Sequence, residues 1–142
     1  MTALDSSVSV PDALPWHEAH ELCRGVARSA AIPSHALAET YSVLTRLPTP
    51  HRLAHDVAAD YLARRFTPAA VLAAPAGLQR SLVVRLAAVG IAGGAVFDAI
   101  VGLTAAAHGE LLLTRDLRAV RTYELLGIDH RVVGEPSLRP SS

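Results

Sequence analysis

Lysine is absent from this 142-residue chain: all thirteen basic residues are arginine. Every mechanism that needs a catalytic lysine is excluded, and the codon bias of a GC-rich genome suffices as the cause. Cysteine is nearly absent. The single Cys23 rules out an internal disulfide and a cysteine-built zinc site, and fits a reducing compartment. Net charge is missing too: thirteen acids offset thirteen arginines, so no global field draws the chain to nucleic acid or membrane. Any contact with nucleic acid must use a local patch. The first residues lack the basic start and apolar core of a signal peptide, so the expected location is cytoplasmic. With 51% apolar and 18% charged residues the composition is that of one globular domain.

One segment, Leu86 to Ala107, is long enough to span a bilayer. It is mostly alanine and glycine, however. Asp98 near its centre would cost about 2.5–3.5 kcal/mol on insertion scales. Gly90, Gly93 and Gly94 instead mark a loop between two helices, and no membrane contact is expected.

Apolar spacing and turn residues give the remaining order of elements. Thr2 to Asp5 reads as a first strand, followed by a loop through Pro11 and Pro15. Trp16 to Ser29 reads as an amphipathic helix. "AAIP" is a second strand stopped by Pro33, after which Ser34 is a candidate N-cap for the helix through Tyr41. His51 to Arg65 and Gly77 to Val89 are helical, with Ala69 to Ala74 as a strand between them. Gly93-Gly94 opens a helix around Asp98 that Gly109 closes. "ELLLT" is a strand, "RDLRAVRTYELLG" a helix, and Asp129 to Val133 a last strand. Residues 135–142 read as a flexible tail. Strands alternating with helices predict an α/β domain with a mainly parallel sheet and helices on both faces.

In such sheets functional groups gather at the carboxyl ends of the strands, where strand order reverses. Asp5 ends the first strand and Asp116 follows "LLLT", while Glu39 and Asp98 lie early in helices that follow loops. Taken singly, each has an ordinary explanation. Asp5 and Asp116 could be turn acids. Asp98 could favour a helix dipole, and Glu39 falls opposite the Leu37–Tyr41–Leu44 stripe, on a face open to solvent. His35 and Glu39, four residues apart, could also share a metal. Taken together, four carboxylates converging on one edge would repel one another and call for a hard cation. Oxygen-only ligands suit Mg²⁺ or Mn²⁺, whose bound water can attack a phosphodiester.

This ordered set resembles the PIN domain, and specifically the VapC-type ribonuclease toxins. The resemblance is carried by "LDSSVSV" with Asp5 and Ser7, "SHALAETYSVLTRLP" with Glu39, "FDAIVGLTAAAHG" with Asp98, and "LLLTRD" with Thr114 and Asp116. It implies a PIN-like three-layer fold over residues 1–134 and a Mg²⁺- or Mn²⁺-dependent endoribonuclease leaving a 5′-phosphate and a 3′-hydroxyl. Asp5, Glu39, Asp98 and Asp116 would form an acidic quartet. Asp5 and Asp98 would be direct metal ligands, and Glu39 and Asp116 would bind directly or through water. Ser7 and Thr114 would orient a carboxylate or a water. A homodimer and a cognate antitoxin are implied as well. Where many relatives carry a further acid or Asn a turn after the fourth acid, this chain has Ala119 and Val120, which puts a second metal in question. Arg46, Arg115, Arg118 and Arg121 are candidates for holding RNA phosphates, or are plain solvated positions.

A dehalogenase-like phosphatase would want a second Asp where Ser7 stands, and a receiver domain requires a lysine. A phosphate-binding GxxxxGK[ST] loop does not occur. The rival of another class is a PIN-like module that binds RNA or protein without catalysis.

Overall fold

The protein is described here by a computed structural model covering residues 1–134; the expected tail at 135–142 lies outside the described residues. The elements are β1 (Thr2–Leu4), α1 (Ser6–Ala13), α2 (His20–Ala27), β2 (Ile32–Pro33), α3 (Ser34–Thr45), α4 (His55–Arg65), β3 (Val71–Leu72), α5 (Ala76–Ala88), α6 (Ala95–Ala107), β4 (Leu111–Thr114), α7 (Leu117–Leu125) and β5 (His130–Val132). Strands β1, β4 and β5 pair side by side, and β2 pairs with β3. A parallel bridge from Ala3 to Ala31 joins the two groups, so the spatial order is β3-β2-β1-β4-β5. All of these pairings are parallel.

Helices α1 to α4 pack against one another as one group and α5 to α7 as another, with α3 touching α6 where the groups meet, so the expected α/β arrangement around a parallel sheet is present. The reversal of strand order falls between β1 and β4. There Leu4 lies opposite Leu113, so the residues after both strands emerge at one edge. A crevice outside the carboxyl ends at this point is where such sheets place their ligands.

The first expectation to fail is the loop after Asp5: Ser6–Ala13 is a helix with Pro11 inside it. Proline removes one backbone donor, but Asp5 caps the helix by accepting from the Ser7 amide. Val8, Ser9, Pro11 and Asp12 are buried, and that burial outweighs one lost hydrogen bond. The expected helix from Trp16 begins only at His20, and the one from His51 only at His55. The expected strand Ala69 to Ala74 shrinks to Val71–Leu72, behind a short 3-10 turn at Pro68–Ala70. Ser34 is the first residue of α3 rather than its cap; Pro33 takes that place, without a side-chain hydrogen bond. No helix among the described residues is long and apolar enough to cross a membrane.

Below the sheet edge, α1 and α4 are locked by a buried ion pair. Asp12 is 1% exposed, and its Oδ2 accepts from Arg65 Nε at 2.8 Å. Arg65 also donates to the Ala27 carbonyl at the end of α2, so one guanidinium ties three helices. Removing one partner of a buried pair strands the other in low dielectric, at a cost of about 3–5 kcal/mol. Asp12→Ala should therefore lower the free energy of unfolding by about that amount in urea titrations, whereas Asp60→Ala, which breaks the exposed Arg64–Asp60 pair, should leave it within about 0.5 kcal/mol.

Candidate active site

Asp5 is the floor of the crevice. It is 6% exposed because β1 is a central strand and α1 starts immediately after it. Its Oδ1 accepts from the Ser7 amide at 3.0 Å and from the Ser7 hydroxyl. Its Oδ2 accepts from the Tyr123 phenol at 2.9 Å. Ser7 Oγ also accepts from the Arg115 amide at 2.7 Å and lies 3.3 Å from Thr114 Oγ1. Thr114 Oγ1 in turn accepts from the Asp116 amide at 3.1 Å. A chain of hydroxyls thus sews the end of β1 to the end of β4. Burial pushes the Asp5 carboxyl above its ordinary pKa, even though Ser7, Thr114 and Tyr123 pull it down.

Asp116 caps α7, its Oδ1 accepting from the Arg118 and Ala119 amides at 2.9 and 3.3 Å. Asp5 and Asp116 therefore do serve as turn and cap acids; the ordinary explanation accounts for their presence at these positions. It does not account for the other two. Glu39 projects from the middle of α3 and Asp98 from the first turn of α6, and neither carboxylate has a hydrogen bond among the described residues.

Both are nonetheless drawn into the same field. Burial pushes Glu39 up to about 7, with the charges of Asp98 and Asp5 adding to the shift. Burial likewise pushes Asp98 up to about 6, helped by Asp116 and Asp5 and opposed by Arg118. The charges of Asp5 and Asp98 thus act on Glu39, and those of Asp5 and Asp116 on Asp98. His35 Nε2 is 3.8 Å from Glu39 Oε2, but burial lowers the His35 pKa while Glu39 is raised. The imidazole is therefore neutral at neutral pH, and this contact is no ion pair there.

The arginines divide. Arg118 is exposed and its charge is felt at Asp98. Arg46 and Arg121 are exposed, Arg46 some seven residues or ~10 Å along the helix axis from Glu39. Arg115 is not a rim residue. It is half-buried, its Nε is shut off from solvent without a hydrogen-bond partner among the described residues, and its charge acts on the buried Cys23.

One residue escaped the sequence reading. Tyr123 is fully buried and presents its hydroxyl to Asp5 from across the sheet edge. It reaches because α6 offers Gly102 at the crossing: a Cβ there would stand 2.6 Å from Ile128 Cδ1 and 3.0 Å from Tyr123 Cδ1. The signal was available in "RTYELLG", since a buried tyrosine needs a partner for its hydroxyl. Tyr123 also lies seven residues after Asp116, near the same helix face.

The PIN domain model matches residues 3–125. This chain belongs to the PIN-domain family. Within it the chain is of the VapC type, being similar to Ribonuclease VapC40 of Mycobacterium tuberculosis at 48% identity over 134 residues, 94% of this chain and 99% of that protein. Ribonuclease VapC27 of the same organism is 48% identical over 133 residues, 92% of this chain and 95% of that one. Among solved structures the chain resembles VapBC2 from Rickettsia felis bound to a DNA fragment from their promoter, with a TM-score of 0.63 at 15% identity, covering 92% and 97% of the two chains. That last likeness is one of fold.

Among the described residues, no three Asp, Glu, His or Cys side chains stand close enough together to grip an ion by themselves. Mg²⁺ takes only one or two carboxylates and keeps several waters. An all-oxygen set of spread, mutually repelling carboxylates fits such an ion.

The raised pKa values carry a sign. Between the ordinary carboxylate range and about 6 to 7, the folded chain holds more protons than the unfolded one, so stability falls as pH rises through that window. Without divalent ions, the Tm should be higher near about pH 5 than near about pH 8. Asp98→Asn should raise the Tm at the higher pH by removing one of the repelling charges; scanning calorimetry at both values checks this.

Proposed function

We propose that this chain is the toxin of a toxin–antitoxin pair, a divalent-metal-dependent endoribonuclease that hydrolyses RNA phosphodiester bonds. The observation that carries the reading is the pair Glu39 and Asp98. These are two half-buried acids with no structural partner, each pushed toward neutrality first by burial and then by the charge of the other acids. An arrangement that costs stability and binds nothing within the fold is the kind found where a site awaits a ligand. The ribonuclease names of the 48% identical relatives support the substrate, and the likeness to VapBC2 supports a cognate antitoxin.

Asp5 and Asp98 would hold Mg²⁺ or Mn²⁺ directly, with Glu39 and Asp116 bound directly or through water. When bound, the ion supplies a water of lowered pKa and a Lewis acid for the phosphate oxygens. The chain's own groups do the rest. Ser7 and Tyr123 fix both oxygens of Asp5, so that it cannot rotate away as charge develops. Thr114 holds the turn that aims Asp116. Glu39, poised at about 7, can take a proton from a water beside it at neutral pH. Arg118, exposed and with its charge felt at Asp98, would meet an incoming phosphate.

An antitoxin segment carrying a basic side chain would satisfy the same four carboxylates and so block them. A homodimer is also part of this reading; Val83 and Val84 on α5, 77% and 74% exposed, are apolar surface available for a second copy.

Asp98→Asn should abolish Mg²⁺-dependent cleavage of single-stranded RNA while leaving the fold intact by circular dichroism. Cleavage by the variant equal to that of the parent chain overturns the assignment. Metal binding by the parent without any cleavage returns the non-catalytic binding module. Tyr123→Phe should keep the fold but weaken Mg²⁺ binding and lower the cleavage rate by about 10–100-fold, the range for losing a residue that orients a metal ligand. Isothermal titration with Mg²⁺ reads the first effect and initial rates read the second.

A further inference from the structure

The crevice presents RNA with an electrostatic difficulty. Four acids line it, the chain has no net charge, and Arg118 is the only one of the four candidate arginines whose charge reaches Asp98. Phosphate attraction to the protein is therefore small at the point where the strand must be held. The surface beside the acids offers a different kind of contact.

Phe97 directly precedes Asp98 and is 49% exposed, one of few aromatic residues in a chain that is 4% aromatic. Its ring is parallel to the His35 imidazole, with centroids 5.5 Å apart and planes within 4°. His35 lies one helical turn before Glu39. The stacked pair therefore spans from α3 to α6, the two helices carrying the acids that have no structural partner. Beyond His35 the surface opens into a cavity of about 590 Å³ whose lining includes Ser34, His35, Ala38, Gln79 and Ile100 and contains no carboxylate. Gln79 spends one amide hydrogen on the Ala74 carbonyl at 2.8 Å, leaving its amide oxygen for another partner.

We infer that Phe97, backed by His35, is a stacking platform for a nucleobase of single-stranded RNA next to the scissile phosphate. Every base has a flat apolar face, so aromatic stacking holds a strand without requiring phosphate charge. His35 suits the role because its flat ring lies parallel to Phe97 and backs it with polarisable surface. The cavity beyond it gives the strand an uncharged path away from the acids. This inference rests on the ribonuclease reading for its substrate, and it adds a residue that holds the strand beside the acids.

The test uses the full chain with Ca²⁺ in place of Mg²⁺, so that the RNA is bound but uncut. 2-Aminopurine is placed at successive positions of a short single-stranded RNA. One position should be quenched on binding. Phe97→Leu, a half-exposed substitution whose Tm should match the parent, should lose the quenching and bind about tenfold more weakly. An RNA abasic at that position should bind the two proteins alike. Unchanged quenching and affinity in the variant overturn the platform. So does a change of oligomeric state in sedimentation without a change in RNA binding, because the patch is then an interface between copies. The same RNA with Mg²⁺ separates the two readings. No cleavage by the parent, with quenching intact, removes the nuclease and leaves the base site. Cleavage of the same bonds at the same rate by Phe97→Leu, with no quenching in the parent, removes the base site and leaves the nuclease.

Discussion

Mutual repulsion among carboxylates governs the upper edge of this sheet. Parallel pairing of β1 with β4 in the register Leu4 to Leu113 brings Asp5 and the Thr114–Asp116 turn to one line. Helices α3 and α6 then add Glu39 and Asp98 from either side. Nothing among the described residues neutralises the four together: the His35 pKa is lowered by burial, and Arg118 is exposed and opposes only part of the field. The fold holds this arrangement because the stabilising interactions lie elsewhere.

Those interactions are of two kinds. Under the site, hydroxyls and amides rather than cations satisfy Asp5. The Ser7–Thr114 contact joins the start of α1 to the end of β4, and Tyr123 reaches in over the crossing that Gly102 keeps narrow. Away from the site, the Asp12–Arg65 pair and the Arg65 bond to Ala27 clamp α1, α2 and α4. This buried ion pair thus lies at the far end of α1 from the unpaired acids. Between them, the buried hydroxyls of Ser9 and Thr40 meet. Because Thr40 follows Glu39, that contact fixes the rotation of α3 and with it the direction of the Glu39 carboxylate.

Much of the domain was legible along the chain. The strand ends at Asp5 and Thr114 are marked by short apolar runs closing on a polar residue. The acids that cap helices are marked by Asp followed by helix-forming residues, and the ordered set of four acids carried the family. What stayed hidden was whatever depends on burial. Pro11 and Pro15 read as loop punctuation, yet Pro11 sits inside α1, because packing of Val8 and Asp12 outweighs one missing amide. Arg115 read like its neighbours at the rim, but the turn after β4 folds it inward. Tyr123 showed that its hydroxyl would need a partner once buried, but not which residue would supply it.

The order of residue types by itself determined the alternation of strands and helices, the single-domain composition, the exclusion of lysine and cysteine chemistry, and which acids could meet. These follow from local preferences and from the periodicities of 2 and 3.6 residues, which act over a few positions and survive in the bare chain. Tertiary structure alone decided which acids are left without partners, that Tyr123 completes Asp5 from 118 positions away, and that Phe97 faces solvent while its neighbour Ala99 does not. Desolvation and charge coupling depend on distances through space, and only the folded sheet sets those distances.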